Sequence, residues 1–278
     1  MTTRNWIDLK QDTESGIETI HAHFEGHAYD PHWHDSYLVG YTEQGVQQFH
    51  CRRQRLVSVP GQVFLLEPGD LHDGDSPTED GFTYRTLYLD PQWLDRELRS
   101  LFEDAPGHYP LSFSETQADD SRLTIATANA FQTLHGQEMR IVRQTALDNL
   151  LANLTRHVHW RAQLTPDPRL PLVAQQARDF LHGHMAQDIG LDDLARVTGV
   201  DRFRLTRAFK TAFGIAPHAY LIQLRLAKAR RLLASGQSPV EVAATLGFAD
   251  QSHLGRWFQR TYRMTPADYR KRCSNLPD

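Results

Sequence analysis

The residues best suited to recognising a charged polymer are the arginines of a pattern that occurs twice in the last third of the chain. The copies span about residues 191–213 and 239–262, and each indicates a helix, a tight glycine turn and a second, basic helix. Arginine pairs with phosphate and donates two parallel hydrogen bonds to guanine. The pattern therefore predicts two helix-turn-helix motifs that recognise DNA.

Each position of the repeated pattern has a structural reason. Gly199 and Gly247 follow the last apolar residues of the first helices, where the chain needs a left-handed conformation that glycine adopts without steric penalty. The aspartates at 201 and 250 then suit the N-caps of the second helices. Apolar residues recur four apart in those helices, namely Leu205 and Phe209, then Leu254 and Phe258. This spacing predicts a buried face and turns Arg207 and Arg256 outward.

Charge is divided unevenly along the chain. Residues 170–278 contain 16 Lys and Arg against 9 Asp and Glu, a balance of +7, whereas residues 1–169 contain 14 against 25, a balance of −11. A basic module attracts phosphate and gains affinity by releasing condensed counterions. The alternative is two generic helical hairpins, but the duplication of the same buried and basic positions favours DNA recognition.

The stretch from Gly247 to Arg270 resembles the signature of the AraC/XylS family of bacterial transcription regulators, and the similarity covers about residues 172–272. The family implies seven helices, with two recognition helices in successive major grooves. A helix predicted over residues 220–234 would hold these two helices at one spacing. By position in the motifs, the resemblance implies DNA contacts by Arg202, Phe203, Arg204, Thr206, Arg207 and Lys210, and by Gln251, Ser252, His253, Arg256 and Arg260.

Length and composition indicate two domains with separate cores. The chain has 278 residues, of which 40% are hydrophobic, and it shows neither an apolar signal segment nor a membrane-spanning run. We therefore expect a cytoplasmic protein with no membrane partner. Cys51 and Cys273 fit neither a disulfide framework nor a zinc motif and are expected to be free thiols. Prolines at 166, 168 and 171 predict a linker over 164–171, between an effector-binding and dimerisation domain (1–163) and a DNA-binding domain (172–278).

Before this linker, short β-type runs alternate with turn residues. Strands are predicted over 17–24, 36–42, 46–52, 56–59, 63–67 and 82–90, with turns at 43–45 and 68–70. The arrangement His32-Trp-His34, followed by Pro68-Gly-Asp-Leu-His72, resembles the two motifs of the cupin barrel over about residues 15–92. The implied fold is two-domain: an all-β cupin-like barrel with appended helices, then an all-α double helix-turn-helix domain.

The cupin resemblance raises the question of a metal. Cupin enzymes commonly hold one with two histidines and a glutamate from the first motif and a histidine from the second. His32, His34 and His72 would supply three imidazole ligands. The glutamate is missing, because the third to fifth positions after His34 are Tyr37, Leu38 and Val39. We therefore expect no metal and no other cofactor, and assign the histidines to the polar lining of a barrel mouth.

A sensing barrel should present polar anchors on an aromatic wall at alternating strand positions. Arg85 is notable, because an arginine in an apolar strand could clamp a carboxylate. On an outward face the same side chain would simply be solvated, and the sequence leaves both options open. The expected effector-binding residues are His34, Tyr37, Glu67, His72, Arg85 and Tyr88; the identity of the effector is not specified.

The barrel is predicted to be followed by helical segments over 92–104 and 119–163. An apolar stripe at helical spacing comprises Leu147, Leu150, Leu151, Leu154 and Val158. Such a stripe packs either on its own barrel or on a second protomer. Because helices at this place commonly pair protomers in the family, we expect a homodimer with this stripe as its seam.

The sequence as a whole predicts a transcription regulator that binds double-stranded DNA sequence-specifically and is not an enzyme. We expect an activator that contacts RNA polymerase and responds to a small-molecule effector in the barrel. Two alternatives remain open. One is a cupin metal enzyme, such as a dioxygenase, fused to a DNA-binding domain, and the other is a regulator whose N-terminal domain only dimerises.

Overall fold

The computed structural model describes residues 5–52, 54–102, 109–160 and 172–273. The chain separates into two compact units, Met1–Gln163 and Leu164–Asp278. The first is built mainly of strands and the second of helices, which confirms the predicted fold class. The predicted linker at 164–171 lies outside the described residues.

Two sheets facing each other form the body of the first unit. Its strands are β1 Trp6–Gln11, β2 Glu18–Phe24, β3 His27–His32, β4 Tyr37–Gly45, β5 Gln47–Cys51, β6 Gln54–Ser58, β7 Val63–Leu66, β8 His72–Asp75, β9 Phe82–Leu89, β10 Leu111–Phe113, β11 Gln117–Ala118 and β12 Val158–Trp160. One sheet has the order β1-β2-β9-β4-β7-β11 and the other β3-β8-β5-β6, while β10 and β12 form a separate pair.

Alternation along β9 shows how the sheets divide their side chains between two faces. Tyr84 projects into the space between the sheets, where its hydroxyl meets that of Tyr29 at 2.8 Å. Leu87 and Leu89 are fully buried on the opposite face, in a core shared with the helices. The barrel interior and the helix-covered face are therefore lined by different residues of the same strand.

Each of the six predicted strands overlaps an observed one, and the turns at Gly45 and Gly69 have φ of 72° and 86°. Strands β1, β3, β8, β10, β11 and β12 were not predicted. The pairing of β3 with β8 shifts register between His27 and Tyr29 and again between Tyr29 and His32. These irregularities break the two-residue alternation by which a strand is recognised in sequence.

Three helices pack against the first unit's larger sheet: α1 Pro91–Arg99, α2 Ser121–His135 and α3 Arg140–Leu154. The predicted helical segment over 119–163 is interrupted after His135 and ends at Leu154, because Val158–Trp160 pairs with β10 instead. The five residues of the apolar stripe are at most 9% exposed and belong to the core of their own domain. The stripe is therefore not available as a dimer seam, and that expectation is wrong.

The second unit consists of α4 Leu172–Gly183, α5 Leu191–Thr198, α6 Arg202–Phe213, α7 Pro217–Ala234, α8 Pro239–Thr245, α9 Gln251–Tyr262 and α10 Pro266–Cys273. Leu205 and Phe209 of α6 are buried with Leu181 of α4. Leu254 and Phe258 of α9 are 0% exposed, and the Phe258 ring meets that of Tyr269 on α10. In the described part of the chain, no helix combines the length and apolarity needed to cross a bilayer.

Candidate DNA-reading helices and effector site

The first helix-turn-helix, α5 and α6, is built by two local devices. Gly199 ends α5 with φ of 68°, in the left-handed region that glycine tolerates. Asp201 then caps α6 by accepting hydrogen bonds from the backbone N–H groups of Phe203 and Arg204 at 2.9 and 3.0 Å. The bond from Arg204, together with that from Phe203, lowers the pKa of the Asp201 carboxyl. The cap thereby sets the N-terminus of a helix with an exposed cationic face.

Helix α6 buries its apolar stripe and exposes most of the predicted DNA-contacting residues. Arg202, Phe203, Arg204, Arg207 and Lys210 are exposed, whereas Thr206 is half-buried. Phe203 is 73% exposed, an unusual position for a large apolar ring. The Arg202 guanidinium lies 5.7 Å from the centre of that ring. This face combines positive charge with an exposed aromatic surface, which suits contact with both phosphates and base edges.

The second helix-turn-helix, α8 and α9, repeats these devices with a longer turn. Ser238 and Glu241 form a reciprocal cap at the start of α8. Gly247 has φ of 71°, and Asp250 caps α9 by accepting from the His253 backbone N–H at 2.6 Å. The predicted contacts Gln251, Ser252, Arg256 and Arg260 are exposed on α9.

His253 differs from the other predicted DNA contacts, because its ring is already engaged. Its Nε2 accepts a hydrogen bond from the Trp257 indole N–H at 2.9 Å, and its ring meets that of Phe248 edge-on. The Ala249 backbone N–H also approaches Nδ1 of the same ring, at 3.5 Å. The expected base contact by His253 stays a prediction, and the ring that would make it also fixes the position of Trp257. The sequence did not single out Trp257.

Helix α7 holds the two motifs together through Arg225, which is 6% exposed. Its guanidinium donates to the carbonyl oxygens of Met185 and Gln187, ahead of α5, at 2.7 and 2.8 Å. It also donates to the carbonyl of Gly247, in the second turn, at 2.7 Å. Burial lowers the pKa of Arg225. One buried cation thus joins the segment before the first motif to the turn of the second.

In the first unit, β3 and β8 bring three histidines together. His32 pairs with His72 across the two strands, and the ring centres of these residues lie 4.5 Å apart. His34 follows β3, and its Nε2 is 3.1 Å from the Nε2 of His32. One nitrogen of each ring lies within 4.8 Å of the other two. His32 and His34 are 3% and 4% exposed, and the His72 imidazole is buried although its residue as a whole is partly exposed.

Backbone carbonyls determine the tautomers of two of these histidines. The Nδ1 of His32 is 2.8 Å from the Asp30 carbonyl, and that of His72 is 2.9 Å from the Asp70 carbonyl. A carbonyl only accepts, so both Nδ1 atoms donate and both Nε2 atoms carry lone pairs. Burial lowers the pKa of His72, outweighing the bond to Asp70 and the nearby carboxylates. The His72 imidazole is therefore suited to act as a metal ligand or a hydrogen-bonding group in its neutral form.

Phenol rings stand beside the histidines in the barrel interior. The Tyr88 ring meets His34 edge-on at 5.0 Å, and the Tyr29 ring lies 5.3 Å from His32. Burial raises the pKa of the Tyr84 hydroxyl well above its ordinary value. His34, His72 and Tyr88, three of the six predicted effector-binding residues, thus share one site. Tyr29 and Tyr84 were not predicted. Tyr84 is four positions before Tyr88 on β9, so strand alternation puts both side chains on the same face of the sheet.

The other three predicted effector residues lie elsewhere. Tyr37 donates its hydroxyl to the Leu111 carbonyl at 2.6 Å, in the helix-covered core. Arg85 is three residues from Tyr88 and so lies on the opposite face of β9, where it pairs with Glu43 at 2.7 Å beneath Phe131. Alternation along the strand excludes both from the interior.

Glu67 is also diverted from the predicted site. It accepts hydrogen bonds from the Ser112 hydroxyl and the Phe113 N–H at 2.6 and 2.8 Å, and it pairs with Arg52 at 2.7 Å. Its carboxylate anchors β10 rather than lining the interior. The expectation of a shared site for Tyr37, Glu67 and Arg85 with the histidines is therefore wrong.

Both cysteines are free and buried, as the sequence indicated. Cys51 on β5 lies opposite His72 on β8. Burial raises the pKa of its thiol to about 12, and the carboxylate of Asp70 adds to that increase. The thiol beside the histidines is therefore protonated at neutral pH and is a poor ligand.

Comparison with known proteins agrees with this architecture. Residues 14–154 match the AraC-like ligand binding domain, and residues 194–272 match a helix-turn-helix domain. The chain is 30% identical over 224 residues to YbfI of Bacillus subtilis, an HTH-type transcriptional regulator, covering 80% of each protein. It is 26% identical over 277 residues to the transcriptional activator RhaS of an Enterobacter species, covering 98% of each.

Solved structures show the same two-domain fold. Apo ToxT of Vibrio cholerae aligns with a TM-score of 0.59 at 11% identity, covering 95% of this chain and 100% of ToxT. ToxT bound to an unsaturated fatty acid aligns with a TM-score of 0.54 at 11% identity, covering 100% of this chain and 98% of ToxT. The sequence relationships and this shared fold lead to one conclusion: the chain belongs to the AraC family of helix-turn-helix transcriptional regulators, with an AraC-like ligand-binding domain ahead of its DNA-binding domain.

Proposed function

We propose that this protein is a cytoplasmic transcription activator that reads a specific DNA site with both α6 and α9 and answers to a small molecule bound in its barrel. The observation that carries this proposal is the duplicated motif, in which each second helix is capped by an aspartate and exposes a cationic face. The buried bonds of Arg225 support a fixed spacing between the two motifs. Two helices held in this way suit two successive major grooves.

The exposed residues divide into two groups by chemistry. Arg207 and Arg256 lie in the middle of their helices and are the proposed readers of guanine. Phe203 offers an apolar surface to a thymine methyl group, and Ser252 offers a hydroxyl to a base edge. The remaining exposed side chains, which are proposed to contact the DNA backbone, are Arg202, Arg204, Lys210, Gln251 and Arg260.

The base-reading role is tested with Arg207→Ala. Affinity for a selected cognate site should fall by about 1–3 kcal/mol, with relaxed preference at one base pair. A matched control is Arg178→Ala, which removes an arginine of α4 that pairs with Asp179. The measurement is a binding titration on cognate and scrambled duplexes at one salt concentration. An equal loss on both duplexes would make Arg207 a phosphate contact and contradict its reading role.

The effector is proposed to bind between the sheets, against His34, His72 and Tyr88. These side chains offer imidazole and phenol groups on an aromatic wall, and Arg85 is turned away from them. The site therefore favours an uncharged organic molecule with hydroxyl or carbonyl groups over a free carboxylate. A thermal-shift screen of the full chain tests this, because a ligand that binds only the folded state raises Tm. A Tm rise confined to carboxylates would contradict the assignment.

Activation implies further partners. We infer contact with RNA polymerase and a homodimer. Since the leucine stripe is buried, the proposed dimer seam is the outer surface of α2 and α3. Exposed apolar side chains there include Ile125 at 60% and Ile141 at 69%. Ile141 lines a shallow groove together with Val142 and Asn129. The full-length match to transcriptional regulators supports a regulatory rather than an enzymatic role.

A further inference from the structure

We propose that His32, His34 and His72 form a binding site for one divalent transition metal ion, coordinated through their Nε2 atoms. The first support is convergence: ligand atoms from three imidazoles lie within 4.8 Å of one another, in a buried position at the junction of β3 and β8. Three imidazoles and no carboxylate form a donor set that suits Zn²⁺, Co²⁺, Ni²⁺ or Fe²⁺ rather than Mg²⁺ or Ca²⁺.

The second support is the set of hydrogen bonds behind the rings. Histidines that bind metals usually donate their other ring N–H to a carbonyl or carboxylate, which fixes the tautomer and the ring orientation. His32 and His72 do so, to the carbonyls of Asp30 and Asp70. Each partner is a backbone atom two residues earlier in the chain. Both Nε2 lone pairs are therefore oriented before any ion arrives.

The third support is the contact between His32 and His34. Their Nε2 atoms are 3.1 Å apart, so a proton on one of them must be shared between two nitrogens. With the His32 proton held on Nδ1, the shared proton belongs to His34. A metal ion between these nitrogens accepts both lone pairs while the His34 proton moves to the other ring nitrogen, and the net charge of the ligands is unchanged.

Three protein ligands leave at least one coordination position open. The phenol rings of Tyr29 and Tyr88 stand next to His32 and His34. The bound ion would therefore hold β3 against β8, with its open position available to water or to a hydroxyl or carbonyl oxygen of the proposed effector. The metal site itself does not depend on the proposed regulatory function, because its ligands are defined by the barrel alone.

The experiment uses the untagged full chain, stripped with a chelator and titrated with Co²⁺ alone. We expect saturation at a single equivalent, visible d–d absorption and a rise in Tm. His72→Gln should lower Co²⁺ affinity by about tenfold or more. His50→Gln is the control, because His50 lies in the same sheet, is exposed and pairs with Asp73. A second ligand variant, His34→Gln, keeps the test valid if His72→Gln does not fold.

Three results would overturn the proposal: no Co²⁺ uptake by the wild type, unchanged affinity in both ligand variants, or an equal loss in His50→Gln. A sulfur-to-cobalt charge-transfer band would also contradict it, since it would make the Cys51 thiolate a ligand. Failure of the metal site leaves DNA binding untouched, so the titration is paired with the duplex-binding assay.

Discussion

Replacing each of the two turn glycines by alanine distinguishes two contributions to stability. One is backbone strain, and the other is the close contact between the turn of the second motif and the segment before the first. Gly199 and Gly247 have φ of 68° and 71°, so alanine suffers the same left-handed strain at both positions. That strain is about 1–2 kcal/mol, partly offset by about 0.4–1 kcal/mol from the less flexible unfolded chain. Among the residues that the structure describes, a Cβ on Gly199 would meet nothing within 4 Å. Gly199→Ala should therefore cost about 0–1.6 kcal/mol.

Gly247→Ala adds a steric conflict that its control lacks. The new Cβ would lie 2.2 Å from the Ala186 carbonyl oxygen, whereas real contacts almost never fall below 3.0 Å. The turn and the segment before α5 must separate, yet Arg225 bonds both sides of that contact at 2.7–2.8 Å. Overpacking together with a weakened buried charged hydrogen bond should cost about 2–4 kcal/mol beyond the glycine control.

Hydrogen exchange of peptides from the helical unit, measured in the full chain, gives the opening free energy of that unit alone. Footprinting on a cognate duplex gives the spacing of the two protected grooves, expected to be about 10 base pairs in the wild type. In Gly247→Ala we expect lower stability and a weakened or displaced second footprint, with both footprints retained in Gly199→Ala. A stability difference below about 0.5 kcal/mol between the variants would refute the argument, because the contact at Ala186 would then have relaxed freely.

Three further predictions concern the cap, the seam and the barrel. The folded pKa of Asp201 lies below its ordinary value of 3.8, so its contribution to stability is present above that value and is lost as pH falls through the folded pKa. Asp201→Asn should remove this acid-dependent part of the unfolding free energy, measured by urea titration at several pH values. An unchanged dependence of the unfolding free energy on pH would contradict the cap. Ile141→Glu should convert a dimer to a monomer in sedimentation, whereas Leu147→Ala should mainly lower the free energy of unfolding, by about 2–5 kcal/mol. A dimer that survives Ile141→Glu excludes this seam. Any effector found in the screen should lose affinity in Tyr88→Phe or His34→Phe but keep it in Arg85→Met, and the reverse result would place the effector on the outer face.

The helix-turn-helix domain was the part best predicted by sequence, because its signals are local. Gly199 and Asp201 act on their immediate neighbours, and the four-residue spacing of Leu205 and Phe209 specifies the buried face of one helix. The local signals did not predict the hydrogen bond between the His253 ring and Trp257, which lies one helical turn further along the chain.

The barrel was predicted less completely, since its site depends on strand pairing. The candidates on β9 were chosen by residue type. Arg85 and Tyr88 are three positions apart on this strand, so their side chains lie on opposite faces of the sheet. Glu67 is diverted by Ser112, which lies 45 residues away in sequence. The histidine cluster requires the pairing of His32 with His72 across β3 and β8. Register shifts in this pair disrupt the alternating pattern by which the two strands could have been predicted from sequence. Motif resemblance named the three histidines, whereas only the pairing shows that their nitrogens converge.

The bond between Trp257 and His253 gives the protein an intrinsic optical reporter. Trp257 is the single tryptophan of residues 164–278, it is partly exposed on α9, and the Arg260 guanidinium lies 5.6 Å from its ring. The fluorescence intensity and wavelength of an indole depend on the charged and polar groups beside it and on their distance from the ring. When a DNA phosphate draws Arg260 away or a base approaches α9, its emission should change. Because the other four tryptophans lie in residues 1–163, a change in emission that disappears in Trp257→Phe reports occupancy of the second motif, separately from that of the first.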